Sequence, residues 1–139
     1  MVRILLALAV GAGVGAVALA HDRENAEAVK VLSARDVKEK LDGKDAKATT
    51  VELALEPEQA GTPHRHAGPV FGYVLEGEYE WAIDDNPAKT LKVGDTFYEP
   101  TGCLHRVSRN PSKKGKTRVL AVVLHPRDAR QITIPEPKK

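Results

Sequence analysis

From Val70 to Leu124 the chain is a succession of short apolar, β-branched segments, each cut off within a few residues by Gly, Pro, Asn or Asp. Period-2 alternation inside such segments marks strands, and regular turn signals between them mark a sandwich or barrel. The strands expected are 29–32, 49–55, 70–76, 78–83, 90–93, 96–99, 104–108 and 118–124, with a further edge strand at 131–134. Gly77 reads as the turn of a hairpin joining 70–76 to 78–83. Ser33 is a fair N-cap for a short helix over 34–41, with Asp36 in its first turn and Gly43 at its end. No repeat or internal boundary divides the 139 residues, which are enough for one domain with a real core.

Within this pattern lie three histidines. His64-Arg65-His66 alternates, so on a strand both imidazoles share one face and Arg65 points away. His105 closes the run Pro100-Thr101-Gly102-Cys103-Leu104-His105. A third imidazole from a distant strand would complete a facial three-nitrogen set. Imidazole suits Zn, Cu, Fe, Ni and Mn, and three ligands with open positions make a reactive site.

The surroundings of these histidines resemble the cupin family. One motif runs Gly61-Thr62-Pro63-His64-Arg65-His66 through to Gly77. The other runs Gly94-Asp95-Thr96-Phe97-Tyr98-Glu99-Pro100-Thr101-Gly102-Cys103-Leu104-His105, with Arg109 where Asn is usual and Asn110 one place late. The resemblance covers about residues 49–124. It implies an all-β double-stranded β-helix, a jelly-roll barrel, preceded here by the short N-terminal helix, with its core over about 47–126. It implies a divalent transition metal (Fe, Mn, Ni, Cu or Zn) on His64, His66 and His105, and a homodimer. The Glu that usually completes the set falls on Val70, which cannot ligate. Glu99 is the better stand-in, and Glu76 reads as a strand-end residue. Val70, Gly72 and Val74 are expected to face the barrel interior, with Gly72 leaving space, and Phe71, Tyr73 and Leu75 to face outward. Tyr79 and Trp81 read as packing between sheets or at a dimer contact. His125 reads as a surface or capping residue.

Two functions follow from the resemblance. One is a dioxygenase- or isomerase-type enzyme acting on a small organic molecule, with no general base unless Glu99 reaches the pocket. The other is a non-catalytic sugar- or small-molecule-binding or sensor protein with a weakened or vestigial site; a structural envelope protein is a weaker third. Fold alone does not choose between them. A net charge of +2 gives no field for nucleic acid or anionic membrane.

Residues 1–20 differ in kind. Arg3, an apolar run to Leu19 and the small-x-small Ala18-Leu19-Ala20 precede a polar stretch, the pattern of a cleaved secretory signal peptide. Cleavage would leave 21–139 as the mature domain, periplasmic or extracellular and free of the membrane, beginning at His21. An N-terminal histidine can chelate copper, but no second element of such a site is evident. Cys103 is the single cysteine. It excludes an internal disulfide and reads as a small turn residue, buried and slow to react.

Overall fold

The computed structural model describes residues 27–137. The signal-peptide reading of 1–20, the cleavage point, His21 and the Lys138-Lys139 tail lie outside the described residues. Ten strands are described: β1 (Ala28–Leu41), β2 (Lys44–Leu55), β3 (His64–His66), β4 (Val70–Glu76), β5 (Glu78–Ile83), β6 (Lys89–Lys92), β7 (Thr96–Glu99), β8 (His105–Arg109), β9 (Thr117–Pro126) and β10 (Thr133–Pro135). They form two five-stranded antiparallel sheets, ordered β1-β2-β9-β4-β7 and β10-β3-β8-β5-β6. This is the sandwich or barrel that the strand pattern implied, and the all-β double-stranded β-helix that the resemblance implied.

No helix occurs among the described residues, and the helix expected over 34–41 is strand. The chain pairs Ala28–Leu41 against Lys44–Leu55 through a two-residue turn at Asp42 (φ 50°) and Gly43 (φ 76°). Asp-Gly with both φ positive is the turn whose twist matches a hairpin. An exposed helix of eight residues has no such partner and falls below the length at which isolated helices persist. Ser33 and Asp36 therefore lie on an edge strand, and Gly43 serves the hairpin instead of a helix end.

Gly77 likewise turns the chain, but not as a hairpin. β4 belongs to one sheet and β5 to the other. Gly77 (φ 72°) carries the chain across between them, where a Cβ would collide with the Lys116 carbonyl. The alternation of β4 is as expected: Val70, Gly72 and Val74 face inward, while Phe71 and Tyr73 are exposed. Gly72 does not leave an empty space, because the Phe97 ring of β7 lies over its α-carbon, directly opposite in register.

Leu55, Val74, Tyr79 and Val119 form the buried cluster between the sheets, flanked by Leu53, Trp81, Leu91 and Phe97. Each fully buried aliphatic side chain contributes about 1.5–3 kcal/mol. Asn110, the motif residue one place late, is fully buried. Its side-chain amide donates to the carbonyls of Leu55, Glu56 and Gly115, and its oxygen accepts from the Ser112 backbone N–H. It pins two loops at the end of the barrel.

Candidate metal centre

β3 is held between β10 and β8, and His64 stands directly opposite His105 in the β3–β8 pairing. Alternation sends His64 and His66 inward. Arg65 leaves the barrel, donating to Glu136 and to the Gly102 carbonyl. Arg106 also leaves, donating to the carbonyls of Asp84 and Asn86. One nitrogen from each of His64, His66 and His105 lies within 4.8 Å of the others.

The tautomers of the first two histidines are fixed by carbonyls, which can only accept. His64 Nδ1–H donates to Thr62 O at 2.7 Å and His66 Nδ1–H to Ile132 O at 3.1 Å. Their Nε2 lone pairs therefore face each other at 3.1 Å. Two neutral imidazoles so held have no proton to share there. The spacing is that of two adjacent ligands at the usual metal–nitrogen distance of about 2.0–2.1 Å. Backbone carbonyls that orient ligand imidazoles are the ordinary supporting arrangement of a metal site.

Burial, then the neighbouring His64, lowers His66 to about 4, and the same causes with His66 added lower His105 to about 3. Both rings are neutral at pH 7, so their contacts with Glu99 are not ion pairs. Neutral imidazole is the form that ligates.

Glu99 ends β7 with 1 % exposure. Its Oε1 lies 3.2 Å from His105 Nδ1 and accepts from Trp81 Nε1–H at 3.0 Å. Its Oε2 lies 3.6 Å from His66 Nε2 and has no hydrogen-bond partner, the sole buried side-chain polar atom so placed among the described residues. Burial raises this carboxyl to about 7, with the Trp81 bond opposing. Leaving such an oxygen unpaired in a protein interior costs about 1–3 kcal/mol, and more when charged. The donor set of three imidazoles and this carboxylate fits a divalent transition ion.

Sequence alternation did not reveal the groups behind His105. A bulge on β8 sets His105 opposite Ile83 and Val107 opposite Ala82, with Arg106 as the extra residue. His105 and Ser108 consequently are both buried. Tyr79 OH lies 3.3 Å from His105 Nε2 and donates to Ser108 Oγ at 2.9 Å, and Ser108 Oγ donates to Glu27 at 3.4 Å. Tyr79 and Trp81 are thus core residues whose polar tips serve the site. Glu27, Tyr79, Ser108 and Glu99 line one cavity with the three histidines. It has a volume of about 340 Å³, and its walls are otherwise mainly aliphatic.

The remaining candidates lie elsewhere. Glu76 is an exposed strand end, 3.5 Å from Arg118. His125 is not a surface residue. It is buried at the end of β9, accepting from Thr49 Oγ1 and donating to Pro126 O, away from the cavity. Cys103 is half-buried and free, and burial, with Glu99 and Asp84 nearby, raises its thiol to about 11.

Two packed antiparallel sheets with a histidine cluster between them define a β-barrel protein with a potential metal site. The Cupin domain family model matches residues 51–123, and the chain belongs to the cupin family. No curated protein matches it. Solved structures share the fold. A double-stranded β-helix domain protein from Klebsiella pneumoniae has TM-score 0.59 and 18 % identity, over 81 % of this chain and 86 % of that one. The DMSP lyase DddQ from Ruegeria pomeroyi has TM-score 0.60 and 20 % identity, over 87 % of this chain and 58 % of the lyase. The polyketide cyclase RemF from Streptomyces resistomycificus has TM-score 0.54 and 20 % identity, over 76 % and 71 %.

Proposed function

We propose that this chain is an exported cupin that binds a divalent transition metal through His64, His66 and His105, with Glu99 completing the set, and acts on a small organic molecule. The observation that carries the reading is the pair of Nε2 lone pairs facing each other at 3.1 Å, each fixed by a carbonyl on the other ring nitrogen. A metal on this set supplies Lewis acidity or a redox centre with free coordination positions.

The chain's own residues supply the rest. Ser108 and Tyr79 hold His105. Trp81 holds one oxygen of Glu99 and leaves the other free. The aliphatic walls exclude water and receive an organic substrate. Cupin neighbours whose names denote a lyase and a cyclase support a catalytic role on small molecules. We favour a dioxygenase- or isomerase-type reaction. Oxygen uptake and product formation with phenolics, thiols and diketones, using protein loaded with Fe, Mn, Ni, Cu or Zn in turn, test it. Turnover in none of these would leave the binding reading, in which Val70 marks a weakened site.

Export rests on residues 1–20, and a homodimer on the outer face of the first sheet. There Phe71, Tyr73 and Tyr98 stand exposed, with the Phe71 and Tyr98 rings 5.3 Å apart. Contiguous exposed aromatics of this kind mark association surfaces.

A further inference from the structure

Beside its three histidines the cavity holds two acids. No Lys or Arg lines it among the described residues, and the two arginines beside the histidines are turned outward onto carbonyls and Glu136. Glu27 and Glu99 both line it. Glu27 enters from the start of β1. It sits where Gly61 has no side chain, since a Cβ there would collide with its carboxylate. Ser108 Oγ donates to it at 3.4 Å, as the last step of the run from His105 through Tyr79. The rest of the lining is mainly aliphatic, including Val51, Leu53, Val119 and Val123.

Charge then decides what can enter. A divalent ion with Glu99 alone would leave the site with a net positive charge and attract carboxylates. Glu27 cancels that charge. In a low-dielectric cavity a single charge within several ångströms outweighs the small differences between neutral probes.

We infer that Glu27 is a specificity-determining residue that turns this cavity against anions, so that its ligand is a small uncharged or amine-bearing molecule presenting a hydroxyl, amide or ammonium donor to Glu27 and an apolar body to the aliphatic wall. This rests on the reading that the cavity is the ligand site, and does not require the metal. An anionic ligand would face Glu27 with no Lys or Arg to offset it. A donor-bearing ligand completes the unused lone pairs of Glu27.

Three probes of matched skeleton test it: benzyl alcohol, benzylamine and benzoate, titrated calorimetrically into the full mature chain, metal-loaded and metal-free, at pH 8. Wild-type protein should bind benzyl alcohol and benzylamine more tightly than benzoate in both forms. Glu27→Gln should tighten benzoate and weaken benzylamine by about tenfold each. Gly61→Ala, which displaces the Glu27 carboxylate, should act in the same direction. Benzoate binding tightest to wild-type protein overturns the inference without any variant. So does an unchanged benzylamine-to-benzoate ratio in Glu27→Gln. Binding of none of the probes overturns the ligand-site reading as well. Failure to load metal counts against the metal alone, because the metal-free arm still ranks the probes.

Discussion

Val70 and Glu99 stand directly opposite each other on the β4–β7 ladder, both pointing into the barrel, with 2 % and 1 % exposure. Val70 occupies the position at which the cupin motif usually carries a carboxylate. The carboxylate is present one strand across, on the same rung, with one oxygen unpartnered. The proposed site thus draws its acid from the neighbouring strand.

Exchange of the two side chains should preserve the donor set. Glu99→Gln should weaken divalent-metal affinity by about 10–100-fold, the usual cost of losing a group that supports or joins the ligand set. The double variant Val70→Glu, Glu99→Val should recover most of that loss. Metal competition titrations against a chromogenic chelator read both. A Glu99→Gln variant with unchanged affinity would show that the carboxylate takes no part.

Acid stability of the metal-free protein follows from the shifted groups. His66 at about 4 and His105 at about 3 lie below the ordinary histidine value, so between those values and about 6.5 the unfolded chain binds more protons than the folded one. Stability rises with pH across that window. Glu99, raised to about 7, works in the opposite direction from about 4.5 to 7. Burial raises Glu27 as well, so two histidines are opposed by two glutamates, the rise is shallower than the histidines alone would give, and Glu99→Gln should steepen it between about pH 4.5 and 7. Urea unfolding at stepped pH measures it, and a Glu99→Gln variant that keeps the wild-type slope between about pH 4.5 and 7 would contradict the assignment of Glu99.

Asn110→Ala should destabilise the fold by on the order of 1–3 kcal/mol, because it leaves the carbonyls of Leu55, Glu56 and Gly115 without their buried donor. Thermal unfolding reads the loss. Arg109→Ala, at the motif's usual Asn position but exposed, should change stability by less than about 0.5 kcal/mol.

Phe71→Glu should convert a dimer to a monomer in analytical ultracentrifugation, leaving the barrel intact, since Phe71 is half exposed on the outer face. A wild-type monomer, or a dimer indifferent to the substitution, would remove this surface from consideration.

N-terminal sequencing of natively expressed protein should give His21. Intact Met1 or Val2 on membrane-bound material would replace export with anchoring.

The strands from β4 to β9 were legible in the sequence because Gly, Pro, Asn and Asp bound them, and in β4 because one buried face leaves its alternation in the residue order. Val70, Gly72 and Val74 against Phe71 and Tyr73 are the clearest case. Of β1 only 29–32 was legible, since the strand is mostly exposed and its later residues leave no apolar period. Its strongest local signal was Asp42-Gly43, two residues past the supposed helix. The three histidines could be picked out by spacing, and Glu99 by its nearness to His105. Ser108 could not, because a bulge at Arg106 breaks the alternation that would have placed it inward. Glu27 reaches the cavity through the β1–β2 hairpin, and nothing in its neighbours announces that.

Metal stoichiometry tests the central claim most directly. Protein isolated without chelator, offered Fe, Mn, Ni, Cu and Zn separately and then freed of excess, should retain about one equivalent of at least one of them by elemental analysis, as a single three-histidine site requires. The His64→Ala, His66→Ala double variant should retain none while keeping its β-sheet circular dichroism. A folded wild-type protein that holds none of the five metals, or a double variant that holds as much as wild type, would contradict it.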